Sequence, residues 1–257
     1  MSSKIFLNFI VRALLVMAIF AACGGETISN DSPPEKQYDE GLRLMKKERY
    51  TEAVERFRVL KSRFPYSKFA ALAALKIGDA HYQEESFIEA ASAYKIFREL
   101  YPKHEMAAYA LYRVGESNFN LVPESPDRDL DSATAAIDAY KLLVKDYPDC
   151  PYVDDAKKKL AGLRTKLADK EDYVGNFYFI RKQYSSAVGR YRHLLDQYPD
   201  SPYNEKALFR LSYSYEQIGE FTKANEAMDR LAMEFPAALQ QKGAKDLKER
   251  LQKETQQ

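Results

Sequence analysis

An aromatic residue followed by proline closes the same sixteen-residue pattern five times in this chain of 257 residues: Phe64-Pro65, Tyr101-Pro102, Tyr147-Pro148, Tyr198-Pro199 and Phe235-Pro236. Twelve residues before each proline stands an alanine (Ala53, Ala90, Ala136, Ala187, Ala224), and eight before it a large residue (Phe57, Tyr94, Tyr140, Tyr191, Met228). On a helix these two positions share a face, so the small one lets a partner helix approach and the large one fills the space above the contact. Proline then ends the helix and forces the residue ahead of it out of helical backbone. A second series runs beside the first: Gly41, Gly78 and Gly115 recur every 37 residues, and Gly175 and Ser212 are again 37 apart. Each falls in the first helix of a pair, where a missing side chain lets the two helices close up. Because each repeat buries its core against its neighbours, one repeat array is a better reading than the one or two ordinary domains this length would allow.

The pattern of Gly, Ala, aromatic and Pro matches the tetratricopeptide repeat, a helix-turn-helix unit. The expected fold is all-α, a tetratricopeptide-repeat superhelical solenoid of five helix pairs with a C-terminal capping helix. The pairs fall at about 36–66, 67–103, 104–149, 150–200 and 201–236, with the cap at 237–253. Two irregularities stand out. Nine extra residues, Leu121 to Asp129, separate the two helices of repeat three, and their prolines and acids read as a surface loop. Between repeats three and four, helix is expected from Tyr152 through Arg181, about 29 residues or roughly 44 Å. After Pro236, the run from Ala237 to Lys253 places Leu239, Leu247 and Leu251 on one stripe and reads as the cap, polar on its outer face.

The N-terminus carries Lys4 and Arg12 around an apolar stretch ending Phe20-Ala21-Ala22, followed by Cys23-Gly24-Gly25. Residues 1–22 read as a secretory signal, since the apolar run is too short to span about 30 Å of hydrocarbon. The ending resembles a bacterial lipobox, in which the cysteine is acylated and becomes the first mature residue; Phe20 stands where Leu is commoner. Several acyl chains on Cys23, at roughly 0.8 kcal/mol per buried CH₂, would anchor the protein permanently. Gly24 rather than Asp after the cysteine implies, by the same resemblance, carriage to the outer membrane facing the periplasm. Residues 23–35 are polar and turn-rich and read as a flexible tether, and 36–257 as the repeat domain. With Cys23 acylated, Cys150 has no partner in the chain and no disulfide framework exists.

Lys plus Arg number 39 against 38 Asp plus Glu, so the chain lacks the overall basic field with which nucleic-acid binders neutralise phosphate. His81, His104 and His193 are scattered, with no spacing that would assemble a metal site, and phosphate-loop, dinucleotide and nucleophile-elbow motifs are missing. The close carboxylates of Asp127-Arg128-Asp129 sit in a loop, and Asp154-Asp155 opens a helix, where acids suit the macrodipole. The expectation is a non-enzymatic protein without cofactors. Nineteen tyrosines remain. Those at signature positions read as packing. Tyr38, Tyr66, Tyr82, Tyr109 and Tyr112 fall in or near first helices, where tyrosine offers apolar area with a polar tip for an extended peptide, and structural packing is the other reading.

The lipobox, the Pro33-Pro34 end of the tether, five repeats, the sequence Arg63-Phe64-Pro65-Tyr66-Ser67 and the long helix between repeats three and four together resemble the BamD family of outer-membrane assembly lipoproteins over essentially the whole chain. The resemblance implies a scaffold of the complex that inserts β-barrel proteins. Its N-terminal repeats would receive unfolded outer-membrane proteins, with Tyr38 to Tyr112 building the pocket. Its C-terminal repeats would dock on the barrel subunit BamA, beside other lipoproteins of the complex. Family arginines at that docking face match Arg181 and Arg190, whose alternative is a solvated helix face; a docking arginine would pair with an acidic partner. A different periplasmic repeat lipoprotein, coordinating cell-wall synthesis or division, is the other reading. Such proteins often add an oligomerising coiled coil, and none is evident here.

Overall fold

The computed structural model of the protein describes residues 29–254; the expected signal sequence and Cys23 lie outside them. Eleven α-helices and one 3₁₀ helix make up the described residues, with no strand among them. In chain order they are α1 (Pro34–Lys46), α2 (Tyr50–Arg63), α3 (Lys68–Gln83), α4 (Phe87–Leu100), α5 (Ala107–Asn120), α6 (Asp131–Asp146), α7 (Val153–Ile180), α8 (Tyr184–Gln197), α9 (Asn204–Gln217), α10 (Phe221–Glu234), the 3₁₀ turn (Pro236–Gln240) and α11 (Lys242–Glu254). The chain divides into two compact units, one ending at Ala73 and one beginning at Ala74, a boundary that falls within α3.

Each repeat is punctuated the same way. The aromatic before every closing proline adopts an extended φ near −130°, from −128° at Phe64 to −135° at Tyr147. Its own N–H still donates to the carbonyl four residues back, at 2.9 Å from Phe64 to Leu60 and 2.8 Å from Phe235 to Leu231. Proline cannot continue that ladder, so the helix stops with its last donor satisfied. Between first and second helices the chain reverses through one left-handed residue: Glu48 (φ 59°), Glu85 (φ 59°), Lys182 (φ 58°) and Gly219 (φ 80°). Three of these four are not glycine, so the turn leaves almost no mark in the sequence.

In the first unit, α1 packs on α2 over Leu44, Val54, Phe57 and Leu60, with the Tyr38 ring 5.7 Å from Phe57 and 5.6 Å from Phe69. In the second, consecutive helices from α4 to α10 pack in turn, and α7 also reaches α9. A β-carbon on Gly41 would lie 2.3 Å from the Phe57 ring, on Gly78 2.7 Å from Tyr94, on Gly115 2.4 Å from Tyr140 and on Gly175 2.7 Å from Tyr191. The glycine series and the large-residue series are therefore the two halves of one contact. At the fifth repeat Ser212 fills the small position, and its hydroxyl donates to the Ala224 carbonyl at 2.8 Å.

The long helix forms as expected, 28 residues from Val153, with Asp154 and Asp155 in its first turn. Residues between Asn120 and Asp131 form the expected loop. The cap differs from expectation. Ala237 to Lys253 is not one helix: a 3₁₀ turn carries Ala238 into the core, Gln241 turns extended (ψ 132°), and α11 then lays Ala244, Leu247 and Leu251 against the last pair. Pro236 ends α10, and the extended backbone at Gln241 redirects the chain before α11 begins. The tether's end also differs, since α1 begins at Pro34, which suits proline as a first helical residue. Gln37 donates to the carbonyls of Asn30 (2.7 Å) and Ser32 (2.9 Å) and fastens the residues before it.

Candidate functional site

The residue after each first-helix glycine is polar at three repeats: Asp79, Glu116 and Asn176. At the first two it accepts from the hydroxyl of the second helix's buried tyrosine, and at the third Asn176 accepts from Arg210, which itself reaches that tyrosine. Asp79 on α3 accepts the Tyr94 hydroxyl at 2.7 Å, the Tyr109 hydroxyl at 3.0 Å and the Lys76 ammonium at 2.8 Å. Arg113 on α5 donates its Nε–H to the Tyr94 oxygen at 3.3 Å and lays its guanidinium 3.4 Å from the Tyr82 ring centre. Tyr82 in turn accepts from the Asn120 amide at 3.0 Å.

One repeat later the arrangement recurs with other residues. Glu116 on α5 accepts from the buried Tyr140 hydroxyl and from Lys159 on α7. Lys159 also pairs with Asp155 at 3.0 Å, which accepts the Tyr112 hydroxyl at 2.7 Å. The Tyr112 ring stacks on Tyr152 at 4.7 Å and 17°. In repeat four, Arg210 on α9 donates to Asn176 at 2.7 Å and to the Tyr191 hydroxyl at 3.3 Å, while Lys206 pairs with the buried Asp172. In all three, a cation nineteen residues after the tyrosine, from the next first helix, closes the group: Arg113, Lys159, Arg210. Sequence reasoning passed over this ladder, although the constant offset of nineteen was there to be found.

Burial and the neighbouring carboxylates hold these phenols neutral. Tyr94 and Tyr109 are raised well above the ordinary tyrosine value by burial and then by Asp79, Tyr140 by burial and then by its bond to Glu116, and Tyr191 is pushed up to about 12 by burial against the opposing pull of Arg210. Burial works to raise Asp155, but hydrogen bonds from Tyr112 and Lys159 hold its carboxyl below the usual range.

Of the five tyrosines expected to face a peptide, the structure brings Tyr82, Tyr109 and Tyr112 onto this polar framework in the second unit, each half-buried, with hydroxyls already bonded. Tyr38 lies on α1 in the first unit, against Phe57 and Phe69. Tyr66 stands just ahead of a first helix, in the turn between α2 and α3, 101% exposed. His81 is half-buried on α3. Arg181 follows the last residue of α7, exposed, its guanidinium 3.6 Å from the Phe177 ring centre and donating to the Phe177 carbonyl at 3.2 Å. Arg190 is exposed on α8 and reaches Glu171 at 3.3 Å. Near Arg181 an apolar stripe, Tyr173, Phe177 and Ile180, is exposed on one face of α7.

Among the described residues no group of three or more His, Cys, Asp or Glu could hold a metal ion, and none of the described helices is long and apolar enough to cross a membrane. Repeated helix pairs, closed by aromatic-proline stops and locked by buried tyrosines, define an all-α tetratricopeptide-type protein, a class whose working parts are surfaces rather than reaction centres. The chain belongs to the YfiO family of outer membrane lipoproteins, whose family model matches residues 30–231. Three similar proteins are each an outer membrane protein assembly factor BamD. One from Caulobacter vibrioides is 30% identical over 88% of this chain and 75% of its own length. One from Vibrio cholerae is 26% identical over 81% and 91%, and one from Xylella fastidiosa 29% identical over 90% and 83%.

Proposed function

We propose that this chain is a non-enzymatic scaffold of the outer-membrane β-barrel assembly machinery, anchored to the periplasmic face of the outer membrane by acylated Cys23. Membership of an outer membrane lipoprotein family supports the location, and relatives that are assembly factors support the role. Its clients are unfolded barrel proteins, and its partners are the barrel subunit BamA and other lipoproteins of the complex.

The observation that carries this reading is the aromatic surface on α3 and α5. Tyr82, Tyr109 and Tyr112 are held by hydroxyl bonds and by the Arg113 stack, so their rings lose little freedom when an extended segment lies on them. Rigid tyrosines grip apolar and main-chain groups without demanding a sequence. A client that must later be released needs modest affinity, and ordering a disordered segment already costs several kcal/mol. Docking on BamA falls to the C-terminal repeats, where Arg181 and Arg190 present guanidinium groups for acidic side chains.

A photoreactive amino acid at Tyr82 or Tyr109 should crosslink to the terminal strand of a nascent barrel protein in cells, and adducts no stronger than from an exposed position on α11 would refute the client surface. Arg190→Glu should abolish recovery of BamA with the tagged chain, while leaving thermal unfolding unchanged. Undiminished recovery removes the docking assignment.

A further inference from the structure

From Arg56 to Lys68 the chain carries five cations, Arg56, Arg58, Lys61, Arg63 and Lys68, and no acid. The segment is the C-terminal half of α2, the turn after it and the first residue of α3. Arg58, Arg63, Pro65, Tyr66 and Lys68 are exposed, and Tyr66 more completely than any other large apolar or aromatic side chain among the described residues. Cations in the last turn of a helix complement its macrodipole, which accounts for Lys61 and Arg63. It does not account for Arg56 or Arg58, and Lys68 opens α3, where that field favours acids and the first turn has none. Burial and then repulsion from Arg58 draw the Lys61 ammonium below its ordinary pKa. Asp31, on Arg63 at 2.6 Å, and Glu40 on α1, whose carboxylate interacts with Arg56, are acids that reach this segment.

The contacts of the preceding chain say what lies opposite. Arg56 donates to the Asn30 side chain at 3.1 Å and Arg63 binds Asp31, so residues 30 and 31 run along α2. Cys23 is seven residues earlier. Seven extended residues span at most about 25 Å. An acyl group on Cys23, the anchor proposed above and the premise for this proximity, would therefore keep a bilayer within reach of this one basic surface.

We propose that the C-terminal end of α2 and the Phe64 to Ser67 turn form a second, non-covalent membrane contact, with the cations on the phosphates of anionic phospholipids and Tyr66 at the interface. Basic clusters beside a lipid anchor are drawn to anionic leaflets, and tyrosine settles at the headgroup level with its ring in and its hydroxyl out. The contact would set the orientation of the first unit on the bilayer as well as its attachment.

The chain contains no tryptophan, so Tyr66→Trp places a sole reporter in the turn, at a side chain whose exposure makes the exchange harmless to folding. The full mature protein is reconstituted with vesicles of phosphatidylcholine alone or mixed with phosphatidylglycerol, and flotation is read alongside tryptophan emission and its quenching by brominated lipid. Flotation with both vesicles, and a blue shift with quenching only where phosphatidylglycerol is present, is the expected result. Raised salt or the Arg58→Gln/Lys68→Gln variant should erase the shift and leave flotation intact. Flotation with an unmoved reporter overturns the contact while the anchor stands. A reporter that moves on anionic vesicles without flotation on neutral ones sinks the anchor and keeps the contact. An equal shift with polyglutamate in place of vesicles assigns the surface to an acidic protein and overturns the lipid.

Discussion

A single missing side chain decides how close each helix pair can come. At Gly41 the first β-carbon would lie 2.3 Å from the Phe57 ring, well inside contact distance, and the obstacle is a fully buried aromatic with nowhere to turn. Gly41→Ala should cost about 3 kcal/mol in urea unfolding, the upper part of the range for overpacking a core. Adding Phe57→Leu should make the double variant less damaged than the sum of the two, because Phe57 has no hydroxyl to orphan and a smaller side chain frees the space. Simple additivity would mean the two do not share one contact. The spacing of small and large residues was readable beforehand because helical geometry puts both on one face. The carboxylates beside the glycines were not. Asp79 and Tyr94 are 15 residues apart and Glu116 and Tyr140 are 24, since the insertion in repeat three separates acid from phenol and spoils any fixed motif.

Helices are joined by what crosses between them. Lys159 on α7 reaches back to Glu116 on α5, and Glu116 also holds Tyr140 on α6, so one buried carboxylate ties three helices around the insertion. Lys159→Met should leave that carboxylate with a phenol but no cation, costing about 2 kcal/mol, less than for a fully buried pair because the ammonium is partly exposed. Lys158→Met, on an exposed neighbour, should change stability by under about 0.5 kcal/mol. Equal losses would mean that helix propensity, not the ion pair, sets both. Length and composition foretold α7, because 28 residues without a proline or a turn signal have no other economical structure. The break at Gln241 was hidden, since the spacing of Leu239, Leu247 and Leu251 suits one continuous helix through it.

Across the second unit, a row of phenols buried beside carboxylates makes the whole fold sensitive to alkali. Each has a folded pKa above its unfolded value, so the neutral form is preferred in the fold and the contribution is fully present below about pH 10. As pH rises beyond that, unfolded tyrosines lose protons that folded ones keep, and stability falls; for Tyr191 the loss is complete only past its folded value near 12. The urea midpoint should hold level to about pH 9.5 and decline above it, with Tyr191→Phe reducing the slope. A level midpoint to about pH 11 would mean these hydroxyls are hydrated in the native state.

The amino-acid order by itself determined the number of helix pairs, where each second helix stops and which residues face inward, because these follow from local rules: proline ends helices, a period of 3.6 selects a face, and bulk needs a gap opposite. Tertiary structure alone decided which phenol meets which acid, that Tyr66 stands free while Tyr82 lies under Arg113, and that the residues before Pro34 are strapped along α2. Those pairings join groups from separate helices across loops of unequal length. Their partners are chosen by packing, and the offset between acid and phenol changes with the loop that separates them.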